Sequence, residues 1–338
     1  MSSTEAAELT AARAGDRNAF DRLVAPHRSA LHAHCYRLLG SLQDADDAVQ
    51  DALFSAWQGL AGFEGRSALR SWLYTVATHA ALRIAERRPQ RVVSVEQGPP
   101  ADPAIPVVGP ALDAPWLEPY PAPAFEPGAG NASPEARYTL SESVGLAFVA
   151  ALQHLSPNQR AVLLVRDVLG FTAEEAAAAL DTSVTSVNSA LVRARQSLEA
   201  RFPATGAAAP RRPLDDPSLR AFVERFLAAW HRSDIDAIVG MLAEDAVFTM
   251  PPLPQWFEGA AAIRVFLTEQ VFQRRWRFVL ASSNGAPALA CYMWNEEKRG
   301  FPLSALNVLE VRGDRVTAIT AFLGDAVLAR TGLPLTQP

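Results

Sequence analysis

Asn188, Ser189 and Val192, followed by Arg193 and Arg195, are the residues whose types and spacing point most clearly to chemistry. Amide, hydroxyl and small apolar groups early on a helix suit base edges in a DNA major groove, and arginines a turn later suit phosphates. Thr185, one turn earlier, is a weaker candidate for the same role. These residues lie in DVLGFTAEEAAAALDTSVTSVNSALVRARQSL, residues 167–198. Thr172 is a good N-cap, and Glu174 and Glu175 favour the positive start of the helix that follows. Asp181-Thr182-Ser183 is a polar turn of the length that joins two helices steeply. The second helix turns Val184, Val187, Leu191 and Leu198 toward a core. A helix-turn-helix is expected, with an ordinary helical hairpin as the plainer alternative.

The charge balance limits what such a helix can do alone. The chain has 338 residues and a formal net charge of -5. A free-standing DNA binder gains affinity by releasing counterions and is usually basic. If this chain reads DNA, something else brings it there. No run of 18 apolar residues is present, so no membrane-spanning helix is expected. The first residues, MSSTEAAELTAARAGD, lack the basic start and apolar run of a secretory signal. Cys35 and Cys291 stand far apart, which fits a reducing cytoplasm. His27, His34 and Cys35 fall near one helical face, but no second ligand cluster accompanies them, so neither metal nor cofactor is expected.

The elements that must position these groups fall into three folded pieces. Residues 5–88 read as all-helical. Residues 89–139 form a linker, and residues 89–134 hold 12 of the chain's 25 prolines, a density that prevents regular helix and sheet. Residues 140–203 are helical again, 204–217 form a second linker, and 218–330 change to helices followed by alternating strands.

In the first piece, DADDAVQDALFSAWQGL sets an apolar stripe from Ala48 to Trp57 against an acidic flank. FEGRSALRSWLYTVATHAALRIAERR follows, with arginines at its ends and outer side. Together these strings resemble region 2 of the extracytoplasmic-function (ECF) sigma factors over about 40 positions, and residues 140–202 resemble region 4 of the same family. The resemblance implies two all-α sigma domains. Asp47, Gln50, Asp51 and Trp57 are implied to dock on the β′ subunit of core RNA polymerase, in a complex that also includes the β subunit. Phe63, Arg66, Ser67, Arg70 and Trp72 are implied to capture the melted minus-10 promoter element, where aromatic and arginine side chains suit an unstacked base and its backbone. Thr185, Asn188, Ser189, Val192, Arg193 and Arg195 are implied to read the minus-35 element of promoter DNA. Trp57 and Trp72 also sit on apolar stripes, so a core role competes for both. His79 stands where many members of the family carry Asn.

The family's inter-region segment threads the polymerase near the active cleft. A flexible chain of this length spans about 40 Å root-mean-square. Trp116, Tyr120 and Phe125 are bulky anchors on a proline scaffold, of the kind that docks in aromatic grooves. The string WLEPYP resembles a linker motif of ECF sigma factors that carry a fused C-terminal domain.

Residues 218–330 resemble the SnoaL-like branch of the nuclear-transport-factor-2-like superfamily, implying an α+β cone of helices on a curved antiparallel sheet. Phe226, Trp230, Phe248, Met250, Trp256 and Asn307 are candidates for an apolar pocket taking a small-molecule ligand, and a filled core is the alternative. The superfamily includes isomerases that need a carboxylate base and a pocket acid. Here Phe226, Met250 and Asn307 fall at the positions of those catalytic groups. Asp245 and Glu258 remain as acids. The expected function is promoter-specific initiation with the third domain regulating in cis. A cyclase-type enzyme and a one-component DNA-binding regulator are the alternatives.

Overall fold

The computed structural model describes residues 3–63, 68–107, 113–121, 145–201 and 212–337. The chain forms two compact units that alternate along the sequence. Residues 1–90 and 124–203 make the first, and residues 91–123 and 204–338 make the second. Most of the linker between the two helical pieces therefore belongs with the C-terminal domain.

Unit 1 is helical. Its first half comprises α1 (Ser3–Arg13), α2 (Arg17–Val24), α3 (Arg28–Leu39), α4 (Leu42–Gly59) and α5 (Leu69–Ala85). Ser41 caps α4 by accepting from the Asp44 N–H at 3.3 Å, and Gly40 takes a left-handed φ of 67° to end α3. Helices α3, α4 and α5 pack on one another through buried small residues, among them Ala45, Ala48, Ala52, Ala77 and Ala80. Close approach leaves no room for a hydrated polar group, so His34 is fully buried. Thr78 spends its hydroxyl proton on the Tyr74 carbonyl at 2.7 Å. Its oxygen must then accept from His34 Nε2–H, 2.8 Å away, which places a proton on Nε2 of the ring.

The second half comprises α6 (Leu146–Gln153), α7 (Pro157–Leu163, continued by a π-turn over Leu164–Val168), α8 (Ala173–Ala179) and α9 (Val184–Arg201). Capping boxes start α7 at Ser156 with Gln159 and α8 at Thr172 with Glu175. One buried cation joins the halves. The Arg160 guanidinium donates to the Leu38 carbonyl at the end of α3, to Gln153 Oε1 at 3.0 Å, and to the Gln153 and Leu155 carbonyls at 3.2 Å each. Burial lowers its pKa to about 10, so it remains charged near neutrality.

Among its described residues, unit 2 carries α10 (Pro217–His231), α11 (Ile235–Gly240), α12 (Ala260–Phe266), α13 (Asp325–Leu328) and seven strands. The strands are β1 (Leu242–Thr249), β2 (Trp256–Glu258), β3 (Trp276–Ser283), β4 (Ala286–Met293), β5 (Phe301–Arg312), β6 (Arg315–Phe322) and β7 (Thr336–Gln337). The sheet order is β2-β1-β6-β5-β4-β3, with β7 on β5. The sheet is mixed, not wholly antiparallel as expected, because β1 pairs parallel with β6. The long connection from β1 to β6, which includes α12 and strands β3 to β5, gives the crossover that such a pairing requires. Asn284-Gly285 forms the β3–β4 hairpin turn with φ of 53° and 64°, as its sequence indicates.

Arg160→Met removes a donor to four buried acceptors and should destabilise unit 1 by about 3 kcal/mol, seen as faster hydrogen exchange at the end of α3 and in α6. Burial, reinforced by Arg37, lowers the His34 pKa from the ordinary 6.5 to about 3. Below pH 6.5 the unfolded chain takes up a proton that the folded chain refuses. Stability should therefore fall with decreasing pH between those two values, at a slope approaching ~1.4 kcal/mol per unit. Amide exchange in α3 and α5 of the wild type should accelerate accordingly, and His34→Gln should remove that part of the pH dependence.

Candidate functional site

The recognition helix α9 starts after Asp181, which takes a φ of 48° in the turn, and Ser183 Oγ accepts the Ser186 N–H at 3.1 Å. Val187, Leu191 and Ala194 are buried. At 100° per residue, Thr185, Asn188, Ser189 and Val192 fall on the opposite face, and all four are exposed, Val192 by 53%. Arg193 and Arg195 flank that stripe on opposite sides. They differ in setting. Arg195 makes two bonds to the Asp167 carboxylate, at 2.7 and 3.1 Å, which raises its pKa and fixes its direction. Arg193 is exposed, outside the buried seam.

On α4, Asp47, Gln50 and Asp51 share the face turned from α3 and α5. Gln50 and Asp51 are exposed, and Asp47 is half-buried with Gln43 donating to it at 3.1 Å. The same stripe continues to Phe54, which is 62% exposed. Sequence patterning passes over this residue because an apolar side chain reads as core. Its i+7 spacing from Asp47 is the signal that could have found it. Trp57 is half-buried, edge-on to Phe20 at 5.2 Å, with Arg17 over its ring.

The residues assigned to minus-10 capture divide differently. Phe63 is buried and lies tilted on half-buried Trp72 at 4.9 Å, with Arg13 over the Phe63 ring. Arg70 is exposed and lies 5.4 Å from the Tyr74 ring. Arg66 and Ser67 lie outside the described residues. His79 lies 3.7 Å from Asp181, which brings the start of the Asp181–Ser183 turn to α5.

The linker is tied to the C-terminal domain at four places. Ser94 Oγ donates to the Leu253 carbonyl at 3.2 Å. The Trp256 indole donates to the Gly98 carbonyl at 2.9 Å, and the Ala101 N–H donates to the Trp256 carbonyl at 2.8 Å. Gln270 accepts the Val107 N–H at 2.7 Å and donates to the carbonyls of Pro103 and Ile105, each at 3.1 Å. Tyr120, fully buried, donates its N–H to Asn284 Oδ1 at 2.8 Å and accepts from the Ser283 hydroxyl at 2.7 Å and the Asn284 N–H at 3.0 Å. Trp116 is buried and bridges to Val92 within the linker itself. Phe125 lies outside the described residues.

Between the sheet and helices α10 and α12 lies a cavity of about 490 Å³. Of the six pocket candidates, Trp230, Phe248, Met250 and Asn307 line it. Phe226 and Trp256 do not. Phe226 is fully buried between Phe222 and Trp230, and Trp256 faces the linker. Neither Asp245 nor Glu258 lines the cavity; both are exposed on β1 and β2. Burial pushes the lining thiol of Cys291 well above its usual range, so it is held protonated.

Unit 1 thus combines a capped helix-turn-helix with a bundle that has an exposed acidic-aromatic face. Residues 23–91 match Sigma-70 region 2, residues 145–198 match Sigma-70, region 4, and residues 223–319 match the SnoaL-like domain. The ECF RNA polymerase sigma factor SigG of Mycobacterium tuberculosis is 40% identical over 328 residues, covering 95% of this chain and 85% of SigG. SigM of the same organism is 31% identical over 196 residues, covering 57% of this chain and 82% of SigM. The crystal structure of M. tuberculosis SigJ has the same fold, with a TM-score of 0.59 at 21% identity over 93% of this chain and 99% of that one.

The chain belongs to the ECF sigma factors. It is a transcription initiation factor of RNA polymerase with a SnoaL-like domain fused at its C-terminal end. No helix among the described residues is long and apolar enough to cross a membrane.

Asn284→Gly keeps the left-handed turn and deletes the amide that receives Tyr120. Hydrogen exchange of the Leu117 and Tyr120 amides should rise about tenfold, while β3 and β4 keep their protection. Unchanged exchange there would show that the turn does not hold the linker.

Proposed function

We propose that residues 5–88 dock on the β′ subunit of core polymerase through Asp47, Gln50, Asp51 and Trp57, joined by Phe54, in a complex that includes the β subunit. In this reading Phe63, Arg66, Ser67, Arg70 and Trp72 handle the minus-10 element. Residues 140–203 read the minus-35 element with Thr185, Asn188, Ser189 and Val192 on bases and Arg193 on phosphate. Arg195 braces the helix through Asp167 until DNA competes for it. The work is done in the cytoplasm, where polymerase supplies the non-specific DNA affinity that an acidic protein lacks.

Residues 218–330 regulate this activity in cis. The observation that carries the reading is the hold of the C-terminal domain on linker residues 94–107 and 116–120. A linker tied down in this way is withheld from the path that the family's inter-region segment takes through polymerase. The domain thus restrains initiation until the linker is released. Its cavity is the place for a small-molecule ligand. The acids Asp245 and Glu258 stand away from that cavity, which favours a regulatory over a catalytic role.

Run-off transcription with core polymerase tests this directly. The full-length chain, residues 1–201 and full-length Asn284→Gly should start at the same promoters, and the two altered forms should give severalfold more transcript. Equal promoter binding and initiation with and without residues 204–338 would overturn regulation in cis. A lack of promoter-specific transcript from all three would favour a one-component DNA-binding regulator.

A further inference from the structure

The cavity of the C-terminal domain is completed by the linker. Pro106 and Val107 line it together with residues of the sheet and helices. Gln270, also on the lining, is the side chain that holds the segment 103–107 in place through three hydrogen bonds. The wall contributed by the linker and the ligand space behind it thus share one fastening.

The chemistry of the lining narrows the ligand. Phe248 on β1, Met250 just beyond its end, Phe278 on β3 and Ala321 on β6 give an apolar floor. Asn307 stands in that floor, 4% exposed, opposite Ala321, and supplies a side-chain amide to the lining. Trp230 also lines the cavity, and its buried indole N–H is unpartnered. The charged lining residues, Glu269 and Arg274, are exposed and of opposite sign. An apolar interior that offers an amide but no buried charge favours a neutral guest with one hydrogen-bonding oxygen.

We propose that this cavity binds a neutral, mainly apolar small molecule carrying a carbonyl or hydroxyl, and that the linker segment 103–107 closes over it. A guest that touches Pro106 and Val107 binds more tightly when the segment is docked, so by linkage it also strengthens the docking. The guest is then a co-repressor, and its loss frees the linker. This deepens the regulatory reading above and rests on it only for the consequence in transcription.

Prodan, a neutral naphthyl ketone whose emission moves to the blue in apolar surroundings, is a suitable probe for the full-length protein. Saturable, blue-shifted binding near one per chain is expected. Asn307→Leu should weaken it about tenfold, the loss of one buried hydrogen bond. Ala321→Phe should abolish it by filling the floor, and Ala305→Leu is the milder filling variant should that chain fail to fold. Prodan should slow hydrogen exchange at Ile105 and Val107, and Gln270→Ala should weaken prodan severalfold. Absence of saturable binding, or binding indifferent to Asn307→Leu and to the filling variants, overturns the site. Full-strength binding in Gln270→Ala with unchanged exchange at Ile105 and Val107 overturns its coupling to the linker. The titration needs no polymerase. Prodan binding with the expected variant effects therefore supports the proposal even if run-off transcription proves indifferent to residues 204–338, a result that would count against the regulatory reading alone.

Discussion

Proline sets the constraint on which the rest of this structure depends. A segment so rich in proline lacks many of its own N–H donors and cannot form a helix, so its remaining N–H and C=O groups need partners elsewhere. In the described linker residues some partners lie in the linker itself, as where Val92 N–H meets the Pro115 carbonyl, and others come from the C-terminal domain: Leu253, Trp256, Gln270 and the Ser283-Asn284 turn. Once that happens, the chain can no longer be divided in sequence order. Its middle belongs to one folded unit, and the helices on either side belong to the other.

The same accounting explains unit 1. Its two helical halves are separated in sequence by the linker, yet they share Arg160, which satisfies the buried Leu38 carbonyl at the end of α3 along with three acceptors of its own half. A buried cation with this many acceptors is strongly destabilising to remove and contributes little net stability while present. It acts chiefly as a specifier of how α7 meets α3. An apolar residue of similar size would fill the space without answering the Leu38 carbonyl.

Much of this was legible in the sequence where a local rule has one reading. Thr172 and Ser156 cap helices because their hydroxyls reach the third N–H beyond, and the period of α9 separates Val187 and Leu191 from Asn188 and Val192. Asn284-Gly285 marks a turn by its tolerance of positive φ. The residues that eluded sequence reasoning are those with a second, non-local role. Asn284 also captures Tyr120, Arg160 also answers the Leu38 carbonyl, and Phe54 stands exposed on the outer face of α4. The strand pairing of β1 with β6 joins segments some 70 positions apart, and nothing in either strand's alternation marks it as parallel. Phe226 and Trp256 have the right chemistry for a pocket, but a helix or strand pattern says only that a residue faces inward, not whether it meets a cavity or a neighbour.

The energetics of the linker suit control. Each of its hydrogen bonds to the C-terminal domain contributes about 1 kcal/mol net, because the released chain recovers bonds to water. The ordering entropy of the docked residues opposes even that gain. Burial of Trp116, Leu117 and Tyr120 adds to the docked state. Docking is thus a near-balance of opposing free energies, and a hold of a few kcal/mol is one that polymerase can outcompete when its own contacts with the chain are intact. Such a balance is also within reach of a ligand, since coupling free energies between sites typically run to 1–3 kcal/mol. A tighter hold would silence the protein whatever occupied the cavity, and a looser one would leave the domain without influence. A proline-rich linker, held by a few directed bonds and a few buried rings, gives a contact of intermediate strength that a continuous helix or an added sheet strand would exceed.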